Sequence, residues 1–220
     1  MRRGAVWLCA GAVGVVLLAA PTAVHASDGY VVEVTSSTPN VKFFGSFSYD
    51  RAAVTGPNNE MARVLTKRMK AFTMPWVDEY RDPDAKTVKY LKKAQPAYFS
   101  TTVEPTPKCR AGYVCISQSS SFSTPLIAGS MTNIHARAWS TQTGKTAQLN
   151  DFVSEGDLPK FTDRVKAAIR KADCYDGFDI DLPANYESFP NWVPTKSGIA
   201  VWFPEYQFGC KIMSLTVSWP

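Results

Sequence analysis

Downstream of residue 26 the chain holds a single histidine, His135, and a Ser-His-Asp hydrolase needs only one imidazole as general base. No Gly-x-Ser-x-Gly elbow accompanies it to expose an activated serine, and Ser130 and Ser140 are neighbours in sequence only. His135 lies between Ile134 and Ala136 in an alternating stretch, so the plainer reading is a strand histidine. Four carboxylates, Asp173, Asp176, Asp179 and Asp181, crowd the run Asp-Cys-Tyr-Asp-Gly-Phe-Asp-Ile-Asp. Such a density could cage Ca²⁺ or meet a cationic protein partner. The spacing is not that of an EF-hand, and self-repelling acids on a solvated loop account for it as well. Thr143-Gly144-Lys145-Thr146 echoes the end of a phosphate loop, but Trp139 stands where that motif needs its first glycine, so it reads as a turn. Aromatic residues crowd the last thirty positions: Trp192, Trp202, Phe203, Tyr206, Phe208 and Trp219. Most sit at strand spacing and read as core. Tyr206 and Phe208, just past Pro204, are the expected exposed pair, and with Trp192 they form the candidate ligand-binding set, since such rings stack on sugars and anchor interfaces.

These groups need a frame to hold them. Residues 1–26 read as a cleaved export leader: Arg2-Arg3, an apolar run from Gly4 to Ala20, then Val24-His25-Ala26. The mature chain, Ser27–Pro220, reads as a single secreted domain. The formal charge is +5, of which Arg2 and Arg3 supply two, and the remainder is too weak to argue for nucleic acid. With 45% hydrophobic and 20% charged residues the chain is not compositionally disordered. No later run approaches the ~18 apolar residues of a membrane span. Cys9 falls in the leader, so Cys109, Cys115, Cys174 and Cys210 remain, an even number suited to an oxidising compartment. Of the three pairings, Cys109–Cys115 across a short turn and Cys174–Cys210 are favoured.

Strands are expected over Tyr30–Thr35, Val41–Asp50, Ala97–Val103, Tyr113–Thr124, Thr132–Thr141, Gly198–Phe203 and Ile212–Trp219. Helices are expected after Asn58, ending at Pro75; after Asp84, closing at Pro96; and from Leu158 to about Ala172, capped by Asp157. The class is α+β: a mixed, mainly antiparallel sheet packed against two or three helices.

From Thr141 onward the order of motifs resembles a known pattern: Thr143-Gly144-Lys145 in a hairpin, Leu149-Asn150-Asp151-Phe152, an amphipathic helix, the Gly198–Tyr206 block and a terminal Leu215–Trp219 strand. It is similar to a family of extracytoplasmic domains of largely unknown function. They occur in lysozyme-sensing anti-sigma factors, beside polysaccharide deacetylase domains, and in secreted mycobacterial immunogenic antigens. Two departures stand out. Family members often carry a histidine where this chain has Ala128-Gly129-Ser130-Met131, and Cys210 falls where they are apolar. The resemblance implies a non-catalytic binding module of the cell envelope, without cofactor or metal, whose ligand is a glycan such as peptidoglycan or an exported protein such as lysozyme. The rival expectation is a small secreted esterase using His135.

Overall fold

The computed structural model describes residues 22–25, 28–106, 108–175, 177 and 179–219. Apart from Thr22–His25, the expected leader lies outside the described residues. A first sheet runs in the order β1 (Thr22–His25), β2 (Val31–Ser37), β3 (Phe44–Thr55), β4 (Ala97–Pro105), β5 (Tyr113–Ser123), β6 (Ser130–Ser140). All its pairings are antiparallel except β3–β4, which is parallel and spanned by α1 (Asn59–Thr73), α2 (Pro75–Arg81) and α3 (Ala85–Lys93). That parallel step is what makes the sheet mixed, because a parallel pair needs a long crossover. A second antiparallel sheet, β7 (Trp192–Pro194), β8 (Gly198–Phe203) and β9 (Met213–Ser218), packs with α4 (Leu158–Ile169). The α+β class holds.

Local chemistry explains the helices. The Asn58 side chain accepts from Met61 N at 3.0 Å, and Ala62, Leu65, Met69 and Thr73 form the buried stripe of α1. Pro75 does not end the helical region; it opens α2, where a first-turn proline lacks only an N–H that would be unpaired anyway. The expectation of two or three helices therefore becomes four among the described residues. Asp84 caps α3 by accepting from Thr87 N at 2.7 Å, which lowers its pKa. Asp157 precedes α4 but caps nothing with its side chain; its carboxylate accepts from Ser154 Oγ at 2.7 Å instead. β7 falls between the expected elements, a short strand recruited by pairing with β8.

Buried residues form three clusters. α1 covers Val32, Val54, Val103, Ile116 and Trp139; α2 and α3 bring Val77 and Leu91 against Phe47, Phe99 and Phe122; α4 and the second sheet enclose Phe161, Phe189 and Phe203 with Cys115 and Ala138. The cysteines are disulfide-bonded as favoured, Cys109–Cys115 with Cα atoms 5.7 Å apart and Cys174–Cys210 with Cα atoms 5.1 Å apart. Two motif glycines are packing devices. A Cβ on Gly198 would run into the Val217 carbonyl on β9. Gly144 has φ +66° and presses on α1, where an added Cβ would lie 2.7 Å from Val64 Cγ1.

Candidate binding surface

His135 lies mid-strand on β6, opposite Gln118 of β5. Its ring stacks on Trp76 of α2 at 6.0 Å and meets the edge of Phe72 of α1 at 6.4 Å. Desolvation, then the Arg137 charge, lower its pKa. Its Nε2 is buried and has no hydrogen-bond partner. Three further buried polar atoms share that condition, Gln118 Oε1, Ser120 Oγ and Thr101 Oγ1. The register explains the grouping: Thr101 faces Ser120, Ser120 and Gln118 are two apart on one face, and Gln118 faces His135. Buried polar atoms in such a patch are what ordered water satisfies. Ser120 is the serine nearest in register on that face, yet among the described residues neither it nor any carboxylate is hydrogen-bonded to Nε2. An ester-hydrolysing role therefore finds no support in this arrangement.

Asp173, Asp179 and Asp181 are exposed, and Asp176 lies outside the described residues. Among the described residues no group of three or more His, Cys, Asp or Glu side chains is placed to hold a metal ion. Thr143–Thr146 is a turn: Gly144 N donates to Ser140 O at 2.9 Å.

The aromatic set divides. Trp192 is buried in β7, and Phe208 is buried with its ring 5.0 Å from that of Phe203, so neither is presented to solvent. The corner is closed by Tyr206 N donating to Cys210 O at 2.7 Å, and within it Phe208 packs on Phe203 of β8. Tyr206 alone of the three is exposed, at 66%. Its φ of +60° is a left-handed conformation that non-glycine residues seldom adopt.

Tyr206 has company that spacing along the chain does not announce. The other large exposed apolar side chains among the described residues are Tyr90, Tyr98, Leu126 and Met131. All belong to one end of the first sheet. Tyr98 opens β4 and pairs with Ser123, which pairs with Ser130; in the next row Phe99, Phe122 and Met131 stand side by side. Leu126 lies in the loop between β5 and β6. Tyr90 of α3 leans on Phe122 with ring centroids 6.5 Å apart. Glu205, next to Tyr206, accepts from Thr132 N, next to Met131, at 2.9 Å, and so ties the corner after β8 to this end. Tyr98 was legible in principle: it takes the outward position between buried Ala97 and Phe99. The placement of all five at one end was not, because they come from α3, the starts of two strands, the loop between β5 and β6, and a corner distant in sequence.

The molecule is thus a two-sheet α+β domain with one apolar, tyrosine-bearing end. Its fold is similar to that of a DUF3298 family member from Bacteroides fragilis NCTC 9343, with a TM-score of 0.57 and 11% identity over 88% of this chain and 92% of that one. A DUF3298 family protein from Pseudomonas aeruginosa PAO1 is also similar, with a TM-score of 0.54 and 12% identity over 86% and 89%. At these identities the likeness is one of fold, and it supports the resemblance to a family of domains of unknown function. No family model matches the sequence. No curated protein matches it significantly. Among the described residues no helix is long and apolar enough to cross a membrane, and the two disulfides are compatible with an extracellular protein.

Proposed function

We propose that this protein is a secreted binding module of the cell envelope that holds a cell-wall glycan on its tyrosine-bearing end. The observation that carries the reading is that Tyr90, Tyr98, Leu126, Met131 and Tyr206, the large exposed apolar side chains among the described residues, lie at one end of the first sheet, with Tyr98 on the face opposite to Met131. Tyrosine rings stack on sugar faces while the hydroxyl stays wet. The left-handed backbone at Tyr206 fits the same reading, since strained residues cluster where a side chain must be held outward. A second reading keeps the surface and changes the ligand. Leu126 and Met131 have no ring to offer a sugar and suit an exported protein such as a lysozyme.

Co-sedimentation of the disulfide-bonded protein with purified peptidoglycan tests the first reading. The expected result is saturable pelleting, weakened about tenfold by Tyr206→Gly, roughly the ~1.4 kcal/mol of one well-placed ring. Glycine also relieves the left-handed strain, so this variant should melt no lower than the parent. Pelleting that is absent, or unchanged in Tyr206→Gly and Tyr98→Ala, would sink the glycan reading. Lysozyme binding lost in those same variants would put the exported-protein reading in its place.

A further inference from the structure

A groove of about 440 Å³ opens between β2–β3 and α1–α2, formed by elements other than those that carry the tyrosine-bearing end. Its walls are locked to each other. Thr66 Oγ1 on α1 accepts from Val54 N at 2.8 Å and donates to Val54 O at 3.4 Å on β3. Where α1 meets α2, Thr73 O accepts from the buried Gln118 Nε2 at 2.8 Å. The groove is therefore preformed, as small-ligand sites usually are. Ala52, Thr73 and Met74 supply buried, largely apolar floor.

Three cations line it: Arg51, Lys70 and Arg81. Arg81 is engaged by Asp78 at 2.7 Å and Asp82 at 3.1 Å. Arg51 donates to Tyr49 Oη at 2.5 Å and lies over the same ring, 5.1 Å from its centroid, so its partner is neutral. Neither Arg51 nor Lys70 has a carboxylate partner among the described residues, and the lining acid left over is Glu33 on β2. Two cations without a close ion pair, against the single remaining acid Glu33, leave the groove with a net positive charge beside an apolar floor, a site for one anionic head joined to a small apolar or amide-bearing body. A guanidinium's planar fork matches the two oxygens of a carboxylate, as it does those of other oxyanions.

We propose that this groove binds a small organic carboxylate, its anionic group between Arg51 and Lys70 and its body over Ala52 and Met74. The carboxylate could come from an acidic sugar or from an acidic peptide, and the test separates them. Amide ¹⁵N–¹H spectra of the disulfide-bonded protein would be titrated with N-acetylmuramic acid, with L-alanyl-D-glutamate, and with neutral N-acetylglucosamine. Saturable shifts at Ala52, Ala53 and Thr73 with at least one acid and none with the neutral sugar are expected. Shifts with the sugar acid alone assign a sugar carboxylate, and shifts with the dipeptide alone assign a peptide. Arg51→Gln and Lys70→Gln each change an exposed side chain, should fold normally, and should raise the dissociation constant at least tenfold. Tyr206→Gly should leave these titrations untouched, so failure here is distinct from failure of the glycan reading. No saturable shift with either acid, equal shifts with the neutral sugar, or affinities unmoved in both variants would overturn the proposal.

Discussion

An imidazole packed against an indole and a phenyl ring loses the hydration that its cation needs. Burial first, and the neighbouring Arg137 charge second, hold the His135 pKa below the ordinary 6.5. As the pH falls through 6.5 the unfolded chain takes up this proton before the folded one does, so stability is full above that value and declines below it. Thermal unfolding followed from about pH 7.5 to 5 should therefore show a falling Tm, and His135→Phe should flatten part of the decline. A variant whose Tm falls as steeply as the parent's would refute the assignment. The sequence marks His135 as the one histidine downstream of residue 26. Its surroundings were not legible, because Phe72 and Trp76 reach it from helices some sixty residues earlier. Tyr206 was legible as a corner residue, whereas Phe208, two positions on, turns inward within a corner whose closing hydrogen bond spacing does not encode.

Elements with a clean period are legible. α1 and α4 carry apolar residues at helical spacing, and β5 and β6 alternate, so each is expected within a few residues of its observed ends. The errors come where one residue has two meanings. Pro75 can stop a helix or start one, and only Trp76, Val77 and Tyr80 packing inward decide for a start. The hairpin after β6 shows the reverse, a local signal with a long-range purpose. Gly144 makes the turn and also lets it settle on Val64 of α1. Gly144→Ala should cost about 2 kcal/mol in denaturant unfolding, combining left-handed strain with the clash. In a Val64→Ala background the added cost should fall to about 1 kcal/mol, leaving the strain alone. Equal costs in both backgrounds would mean that the turn is not seated on the helix.

At the scale of the molecule, the buried clusters under α1 and α4 share walls. On β5, Val114 and Ile116 face the cluster under α1 while Cys115 faces the one under α4; on β6, Trp139 and Ala138 divide in the same way. Neither cluster can open without stripping the face of a strand pair that the other needs. Asp28 adds a tie across the fold, its carboxylate accepting from Gly112 N at 2.8 Å and Thr141 Oγ1 at 3.1 Å. Tryptophan fluorescence and far-ultraviolet circular dichroism should therefore give coincident single transitions for the oxidised protein. Two separated midpoints would show that the second sheet and α4 unfold on their own. None of this sharing was visible in the sequence, since period-2 alternation marks two faces of a strand but not what covers each.

The corner that presents Tyr206 is fastened through Cys210, whose carbonyl takes the Tyr206 N–H and whose sulfur is bonded to Cys174 beyond the end of α4. That fastening needs an oxidant, which the cytosol withholds and the cell exterior supplies. In a reducing environment the corner would keep its Tyr206–Cys210 hydrogen bond but lose its covalent anchor beyond α4. On the reading proposed above, formation of the Cys174–Cys210 bond would be the step that completes the corner presenting Tyr206.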